Sequence, residues 1–341
     1  MTTERAAGTD PDPEVVACMR RLGIVADCDT PVFEALTGGV SSQIWKVTAG
    51  ERVLCLKRAL PKLKVEADWF APVERNAFEV AWYEIANGAV HGAAPRVLAH
   101  DATAMLFVME FLPPDKFRLW KNDLHAGRTD LRQATLAGQR LGRIHAHAAR
   151  SDAVRARFPR TDIFTAIRLE PYLEATADRH PDLREQLLEL SHRTAATLPT
   201  VIHGDVSPKN IMLGDDGPVF LDAECASIGD PAFDLAFCLN HFLLKCLWTP
   251  HASDGFMASF HRITQSYLRE VDWEDAAGLE GRAASLLPGL LLARVDGKSP
   301  VEYIVDDEHK SKVRRCARSL LVRSPVRLAT VADAWTEELS R

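Results

Sequence analysis

The chain has 341 residues, with 41 Lys and Arg against 47 Asp and Glu and so a formal net charge of −6. Its composition, 47% apolar and 26% charged, excludes disorder as the main state and allows a sizeable core in one to three domains. The mild acidity argues against nucleic acid, which would want a basic field, and no apolar run approaches the roughly 20 residues that span a bilayer.

In chain order, residues 1–14 (MTTERAAGTDPDPE) lack an apolar h-region and read as a polar leader rather than a secretory signal. Three short apolar-rich runs follow, Pro31 to Leu36, Gln43 to Thr48 and Arg52 to Lys57, separated by Gly turns as strands are. Glu74 to Ala86 carries apolar residues at helical spacing. Arg96 to Ala99 and Met105 to Phe111 read as strands, the second almost continuously apolar and therefore buried. Pro113-Pro114 then acts as a hinge, dividing the chain into 1–112 and 113–341. Beyond it the pattern is mostly helical, over Leu131 to Ala148, Leu183 to Leu190 and Asp234 to Leu247. One β island interrupts it: Thr200 to His203, Asn210 to Leu213, an Asp-Asp-Gly turn at 215–217, and Val219 to Asp222. Ser299-Pro300-Val301-Glu302 has the layout of a capping box with Pro at the first helical position. The seven cysteines, Cys18, Cys28, Cys55, Cys225, Cys238, Cys246 and Cys316, form no CxxC pair, so neither a zinc site nor a disulfide framework is indicated and a reduced, cytoplasmic setting is expected.

The β island, VIHGDVSPKNIMLGDDGPVFLDAE, carries the chemistry. Asp205 follows His203-Gly204, Asn210 lies five residues on, and Asp222 lies twelve beyond Asn210. A hairpin over the Asp-Asp-Gly turn brings Asp222 back beside Asn210. A carboxylate and an amide oxygen converging there make a hard oxygen site suited to Mg²⁺. Asp205 is left as a base towards a hydroxyl, the division of labour that phosphoryl transfer needs.

HGDxxxxN followed by DxE resembles the aminoglycoside phosphotransferase and choline kinase family, relatives of the protein kinases, and the resemblance runs from about Leu36 to Asp234. It implies an α+β, two-lobed protein-kinase-like fold: an antiparallel sheet lobe with one main helix, then a larger, mostly helical lobe. It implies ATP and Mg²⁺, with Asp205 as the catalytic aspartate and Asn210 and Asp222 as metal ligands. Ser207 stands where a protein kinase has Lys, Lys209 precedes Asn210, and Asp222-Ala223-Glu224 replaces Asp-Phe-Gly. These departures point to the small-molecule branch and leave either Ser207 or Lys209, with Glu224, as candidate contacts of phosphate or acceptor. The turn Gly38-Gly39-Val40-Ser41-Ser42 is similar to the family's phosphate-covering loop, its glycines letting backbone N–H groups approach phosphate. Lys57 stands where the family has its phosphate-binding lysine, and Glu79, with Glu84 as second choice, is its helical partner. The alternative for Glu79 is an exposed pair with Arg75, four residues earlier. Backbone groups from Glu110 to Leu112 correspond to the adenine-binding hinge. Asp234 and His203 are assigned to bracing the catalytic loop, and His145 to packing.

The acceptor is expected between Asp205 and the last third of the chain. Arg294, Asp296 and Lys298 are candidate contacts, weighed equally against a polar loop whose Arg and Asp pair with each other. Asp306, Asp307 and Glu308 read as a solvated charge run. The implied activity is ATP- and Mg²⁺-dependent phosphorylation of a small hydroxylated molecule (aminoglycoside, amino alcohol or sugar), with no nucleic-acid or membrane partner. The alternatives are a silent nucleotide-binding module and, beyond that, a protein kinase.

Overall fold

The structure, a computed structural model, describes residues 11–36, 42–60, 74–159 and 162–341. The first part is built around a five-stranded antiparallel sheet of β1 (Val32–Ala35), β2 (Ser42–Ala49), β3 (Arg52–Ala59), β4 (Val97–Asp101) and β5 (Leu106–Glu110), in the order β1-β2-β3-β5-β4. Its two faces are covered by different helices. Alternation along β3 puts Leu54 and Leu56 on one face, where they pack with Trp45, Val47 and Val108 beneath α1 (Pro13–Arg21). Cys55 belongs instead to the main core, with Phe107, Met109 and helix α2 (Arg75–Ala89). Lys57 shares the Cys55 face by the same period of two, and this is what turns it towards α2.

Helix α1 begins within the last two residues of the polar stretch 1–14, of which residues 1–10 lie outside the described residues. Pro13 and Glu14 open it, and the Asp12 side chain caps it by accepting from the Val15 N–H at 3.1 Å. Asp12 also pairs with Arg58 on the sheet at 2.6 Å. The buried Val15, Cys18 and Met19 dock the helix on the sheet, each contributing about 1.5–3 kcal/mol if the transfer is complete.

The remainder is helical except for small sheet fragments. In order come β6 (Arg118–Leu119), α3 (Trp120–His125), α4 (Leu131–Ala149), α5 (Asp152–Arg155), α6 (Asp162–Phe164), a π-helical segment Thr165–Glu174, α7 (Ala175–Arg179) and α8 (Arg184–Ala196). Then follow β7 (Thr200–Ile202), a 3₁₀ turn Pro208–Asn210, β8 (Ile211–Gly214), β9 (Gly217–Phe220), β10 (Ser227–Gly229), α9 (Pro231–Trp248), α10 (Ser253–Leu268), α11 (Ala276–Asp296), α12 (Asp307–Arg323) and α13 (Leu328–Leu339). Helices α9 and α11 form the buried centre, with α4 packed on α10. No helix among the described residues is long and apolar enough to cross a membrane, and all seven cysteines are free thiols.

The capping box at Ser299 does not form. The Ser299 carbonyl and hydroxyl both accept from Arg294, and the Val301 N–H returns to the Arg294 carbonyl, so this stretch is a loop folded over the end of α11. Asp306 starts α12 instead, its carboxylate accepting from the Glu308 and His309 N–H groups. Part of the expected charge run is thus a helix cap.

Candidate active site

The loop after β7 is held from below. The Asp234 carboxylate, in the first turn of α9, accepts the His203 N–H at 2.7 Å and the Gly204 N–H at 2.8 Å. His145 Nε2 stands 3.2 Å from the same carboxylate, and its other nitrogen meets the Tyr267 hydroxyl at 2.7 Å. His203 uses both ring nitrogens, accepting the Asp205 N–H at Nδ1 (3.1 Å) and facing the Leu221 carbonyl with Nε2 (3.0 Å). Burial holds it below the ordinary histidine range despite the nearby Asp234, so it is a neutral strut with no nitrogen left to act as a base. Gly204 has φ +77°, and a Cβ there would lie 2.6 Å from the Cys225 carbonyl.

Asp205 is buried and surrounded by donors. Asn210 Nδ2 donates to its Oδ2 at 2.9 Å and to its carbonyl at 3.0 Å. Arg168 pairs with Oδ2 at 2.9 Å, and Lys209 Nζ lies 3.2 Å away. Burial alone would raise the carboxyl, but Arg168 and Lys209 hold it below its usual range. Arg168 also donates to the Gly204 carbonyl at 2.7 Å. Nothing in the sequence reading pointed to Arg168. It sits in the π-helical segment, which carries no motif, and only the widened turn aims it at the loop.

The β8–β9 hairpin brings the metal-side residues together. Ile211 pairs with Phe220 and Gly214 with Gly217, leaving Asp215-Asp216 as the turn. The Leu221 N–H then bonds the Asn210 carbonyl at 2.8 Å, so Asp222 emerges next to Asn210. Asp222 takes a left-handed conformation (φ +63°) and is one-third exposed at the mouth. Its Oδ1 meets Lys57 Nζ at 2.5 Å, and Lys57 meets Glu79 at 2.8 Å. The Tyr83 hydroxyl donates to Glu79 at 2.7 Å and accepts the Asp222 N–H at 2.8 Å, closing a ring from sheet to helix to hairpin. Burial would lower Lys57, but the Asp222 and Glu79 carboxylates keep it charged, well above its ordinary value. Burial and then the Lys57 charge act in opposite senses on Asp222, and the lysine wins, holding the carboxyl well below its usual range. Glu84 pairs with Arg157 at 2.5 Å instead. Arg75 bonds not Glu79 but Glu224 at 3.1 Å and the Leu60 carbonyl at 2.6 Å.

The donor set suits a hard divalent cation. Asn210 spends its amide N–H₂ on Asp205, which leaves its oxygen as the cation-facing end, and Asp222 adds a carboxylate. No cluster of three or more His, Cys, Asp or Glu suited to a metal exists among the described residues. Two protein oxygens with the rest supplied by phosphate and water is how magnesium is commonly held.

The other expected residues are placed variously. Gly38, Gly39 and Ser41 lie outside the described residues; Ser42 opens β2, buried and paired with Ala59. The Glu110 N–H and carboxylate are both engaged with the Arg96 backbone, at 3.0 and 2.9 Å, and Leu112 follows just beyond β5. The buried Ser207 hydroxyl has no hydrogen-bond partner among the described residues, whereas Lys209 is half exposed beside Asp205. The Asp296 carboxylate meets His180 and Arg314 at 2.7–2.9 Å. Lys298 is likewise committed, to Glu170. Arg294 bonds the Tyr172 hydroxyl at 3.0 Å rather than Asp296.

Comparison with known proteins bears on the family and the fold. The family model described as the phosphotransferase enzyme family matches residues 32–279. A methylthioribose kinase of Bacillus cereus is 22% identical over 269 residues, 70% of this chain and 67% of that one. A second, from another strain, is 22% identical over 246 residues, 63% of this chain and 61% of its own length. Among solved structures, amicoumacin kinase in complex with AMP-PNP, Ca²⁺ and Ami matches with a TM-score of 0.53 at 15% identity, covering 93% of this chain and 95% of that one. LicA in complex with AMP matches with a TM-score of 0.50 at 14% identity, covering 92% and 98%. These likenesses show the two-lobed α+β fold, with its antiparallel sheet lobe and helical remainder.

Proposed function

Because the chain belongs to the phosphotransferase enzyme family and is a small-molecule kinase, we propose that it moves the γ-phosphoryl of ATP, with Mg²⁺, to a hydroxyl of an acceptor beside Asp205. The observation that carries this reading is the closed ring of Lys57, Glu79, Tyr83 and Asp222, set against an Asp205–Asn210 pair that shares the same hairpin. In this reading residues 1–112 form the nucleotide lobe and 113–341 the catalytic and acceptor lobe. The free thiols fit a cytoplasmic setting.

Lys57 binds the phosphates as a point charge, held in place by Glu79. Glu110 and Leu112 border the adenine end, and the Gly38–Ser42 turn covers the phosphates. Asn210 and Asp222 hold Mg²⁺, which neutralises charge on the phosphates when bound. Asp205 accepts the acceptor's hydroxyl proton as the new O–P bond forms and the β–γ bridge breaks, releasing ADP. A carboxylate kept ionised by Arg168 and Lys209 is a weak base. That suits a loose transition state, in which the hydroxyl is oriented early and its proton leaves late. Asp234, His203 and Gly204 keep the loop rigid, so most of the barrier reduction comes from positioning.

The test is a metabolite-library screen for ATP-dependent phosphorylation with Asp205→Ala as the blank. The variant is expected to lose transfer by at least ~10²-fold while keeping its nucleotide affinity; an undiminished rate removes Asp205 from the role. Asp222→Ala is expected to abolish magnesium-dependent nucleotide binding, and unchanged binding counts against the metal assignment. Mg-ATP binding with no acceptor turned over would favour the silent module, and phosphate appearing on added protein would favour a protein kinase.

A further inference from the structure

Between α9 and α11 buried positive charge outweighs the acid that faces it, Glu302. Lys245, on α9, is 1% exposed, and its ammonium makes no ion pair or hydrogen bond with a described residue. Its Nζ sits 4.3 Å from the centre of the Trp248 ring and 4.6 Å from that of Tyr303, and these rings stack on each other at 4.5 Å. Arg294, on α11, is 7% exposed; it bonds the Tyr172 hydroxyl and the Ser299 carbonyl, and among the described residues it has no carboxylate partner and its Nε has no hydrogen-bond partner. His241, one turn before Lys245, meets the Tyr303 hydroxyl at 3.4 Å through Nδ1 and leaves Nε2 unpartnered.

This cluster adjoins Asp205. Tyr172 lies under both Arg294 (5.4 Å) and Arg168 (5.9 Å), and Arg168 pairs with Asp205. Lys121 comes from α3, which packs against both α9 and the Pro208–Asn210 turn, and it pairs with Glu302. Arg168 and Lys209 are answered by Asp205, with Glu224 and Asp222 also acting on them, whereas among the described residues Lys121, Lys245 and Arg294 share the one carboxylate Glu302, which pairs with Lys121. Burial first, and then Arg294, Lys245, Lys209 and Lys121 together, drive His241 well below the ordinary histidine range. A buried cation without a counter-ion is costly, and a cation–π contact returns only part of that cost.

We propose that the acceptor carries an anionic group, a carboxylate or a phosphate ester, which Lys245 and Arg294 bind while its hydroxyl meets Asp205. Trp248 is stacked by both His125 (4.0 Å) and Tyr303 (4.5 Å), and Lys245 takes the cation position beside these rings, so no open aromatic face is left for a quaternary ammonium. Cationic amino alcohols and aminoglycosides are therefore repelled twice, by a charge and by an occupied site. The proposal rests on the kinase reading above and names the acceptor class for that site.

The experiment has two arms. Hydroxycarboxylates, hydroxylated phosphate esters, neutral polyols and hydroxyalkyl ammonium compounds are assayed as acceptors by ADP release. Anionic acceptors are expected to exceed neutral and cationic ones by at least tenfold in kcat/KM, with the carboxylate and ester sets telling the two anion sources apart. In Lys245→Met and Arg294→Gln this preference is expected to fall at least tenfold through KM. A best acceptor that is neutral or cationic, or a preference that survives both substitutions, overturns the proposal. The second arm titrates inorganic sulfate by calorimetry onto protein saturated with Mg²⁺ and a non-hydrolysable ATP analogue. Binding that depends on Lys245 and Arg294 is expected, and its absence overturns the proposal. Sulfate binding without turnover of any acceptor places the failure in the kinase reading instead.

Discussion

One phenol, Tyr83, joins the helix side of the Lys57 ring to its hairpin side. Its hydroxyl takes the Asp222 N–H and gives its own proton to Glu79, so it fixes both neighbours of Lys57. Tyr83→Phe keeps the ring's packing in the core and leaves the Asp222 N–H without its acceptor. A buried donor stripped of its partner costs about 1–3 kcal/mol, and Asp222 already holds a left-handed backbone. The variant is expected to unfold at lower urea concentration by that amount and to show a raised KM for ATP, both read against Tyr83→Trp as a bulk control. Wild-type values in both assays would show that the hydroxyl positions nothing. The sequence pointed to this ring incompletely. Lys57 and Glu79 stand out by their place after a strand and on a helix, and Tyr83 lies one turn beyond Glu79 on the same face. A tyrosine at helical spacing is ordinary core, however, and only the return of the hairpin gives it a polar task.

Elements decide which of these residues can meet. The Asp-Asp-Gly turn was readable because two-residue hairpins demand such chemistry, and its register delivers Asp222 to Asn210. The π-helical segment was not readable. Its widened turn depends on packing around Pro171 and Tyr172, so Arg168 carries no local signal. The capping box at Ser299 failed for the converse reason. Its letters fit a helix start, but Arg294 claims the Ser299 oxygens first, and Asp306 caps α12 seven residues later. The N-terminus of α9 shows an element serving a loop. Asp230 caps it by accepting from Ala232 and is clamped by Arg282, and one turn later Asp234 holds two N–H groups of the catalytic loop. Asp234→Asn replaces one acceptor oxygen with an N–H₂ that faces donors. We expect a loss of about 1–3 kcal/mol in chemical denaturation and a fall in kcat larger than any change in KM for ATP. Unchanged kcat would show that the loop does not need this brace.

At the scale of the whole molecule, global stability is coupled to pH through Lys245. Burial first, and then the Lys121 charge, lower Lys245 from its ordinary value to about 7, with Glu302 opposing. Below pH 7 both the folded and the unfolded chain carry the proton, and the folded state bears the full cost of a buried ammonium. Between about pH 7 and the free-lysine value near 10.4 the unfolded chain holds more protons, so this group makes stability rise with pH. Above that window both states are neutral and the dependence ends. Lys245→Met removes the cost and forfeits two cation–π contacts, each about 0.5–2 kcal/mol; a depression of this size corresponds to a few kcal/mol, so burial prevails. The variant is expected to melt above the wild type at pH 6, by several degrees, with the advantage shrinking steadily towards pH 10. An equal or lower melting temperature at pH 6 would mean that Lys245 is stabilised where it sits. A gain confined to low pH ties the whole fold's stability to a charge kept at its proposed acceptor side, as expected where a site is maintained against the fold's own preference.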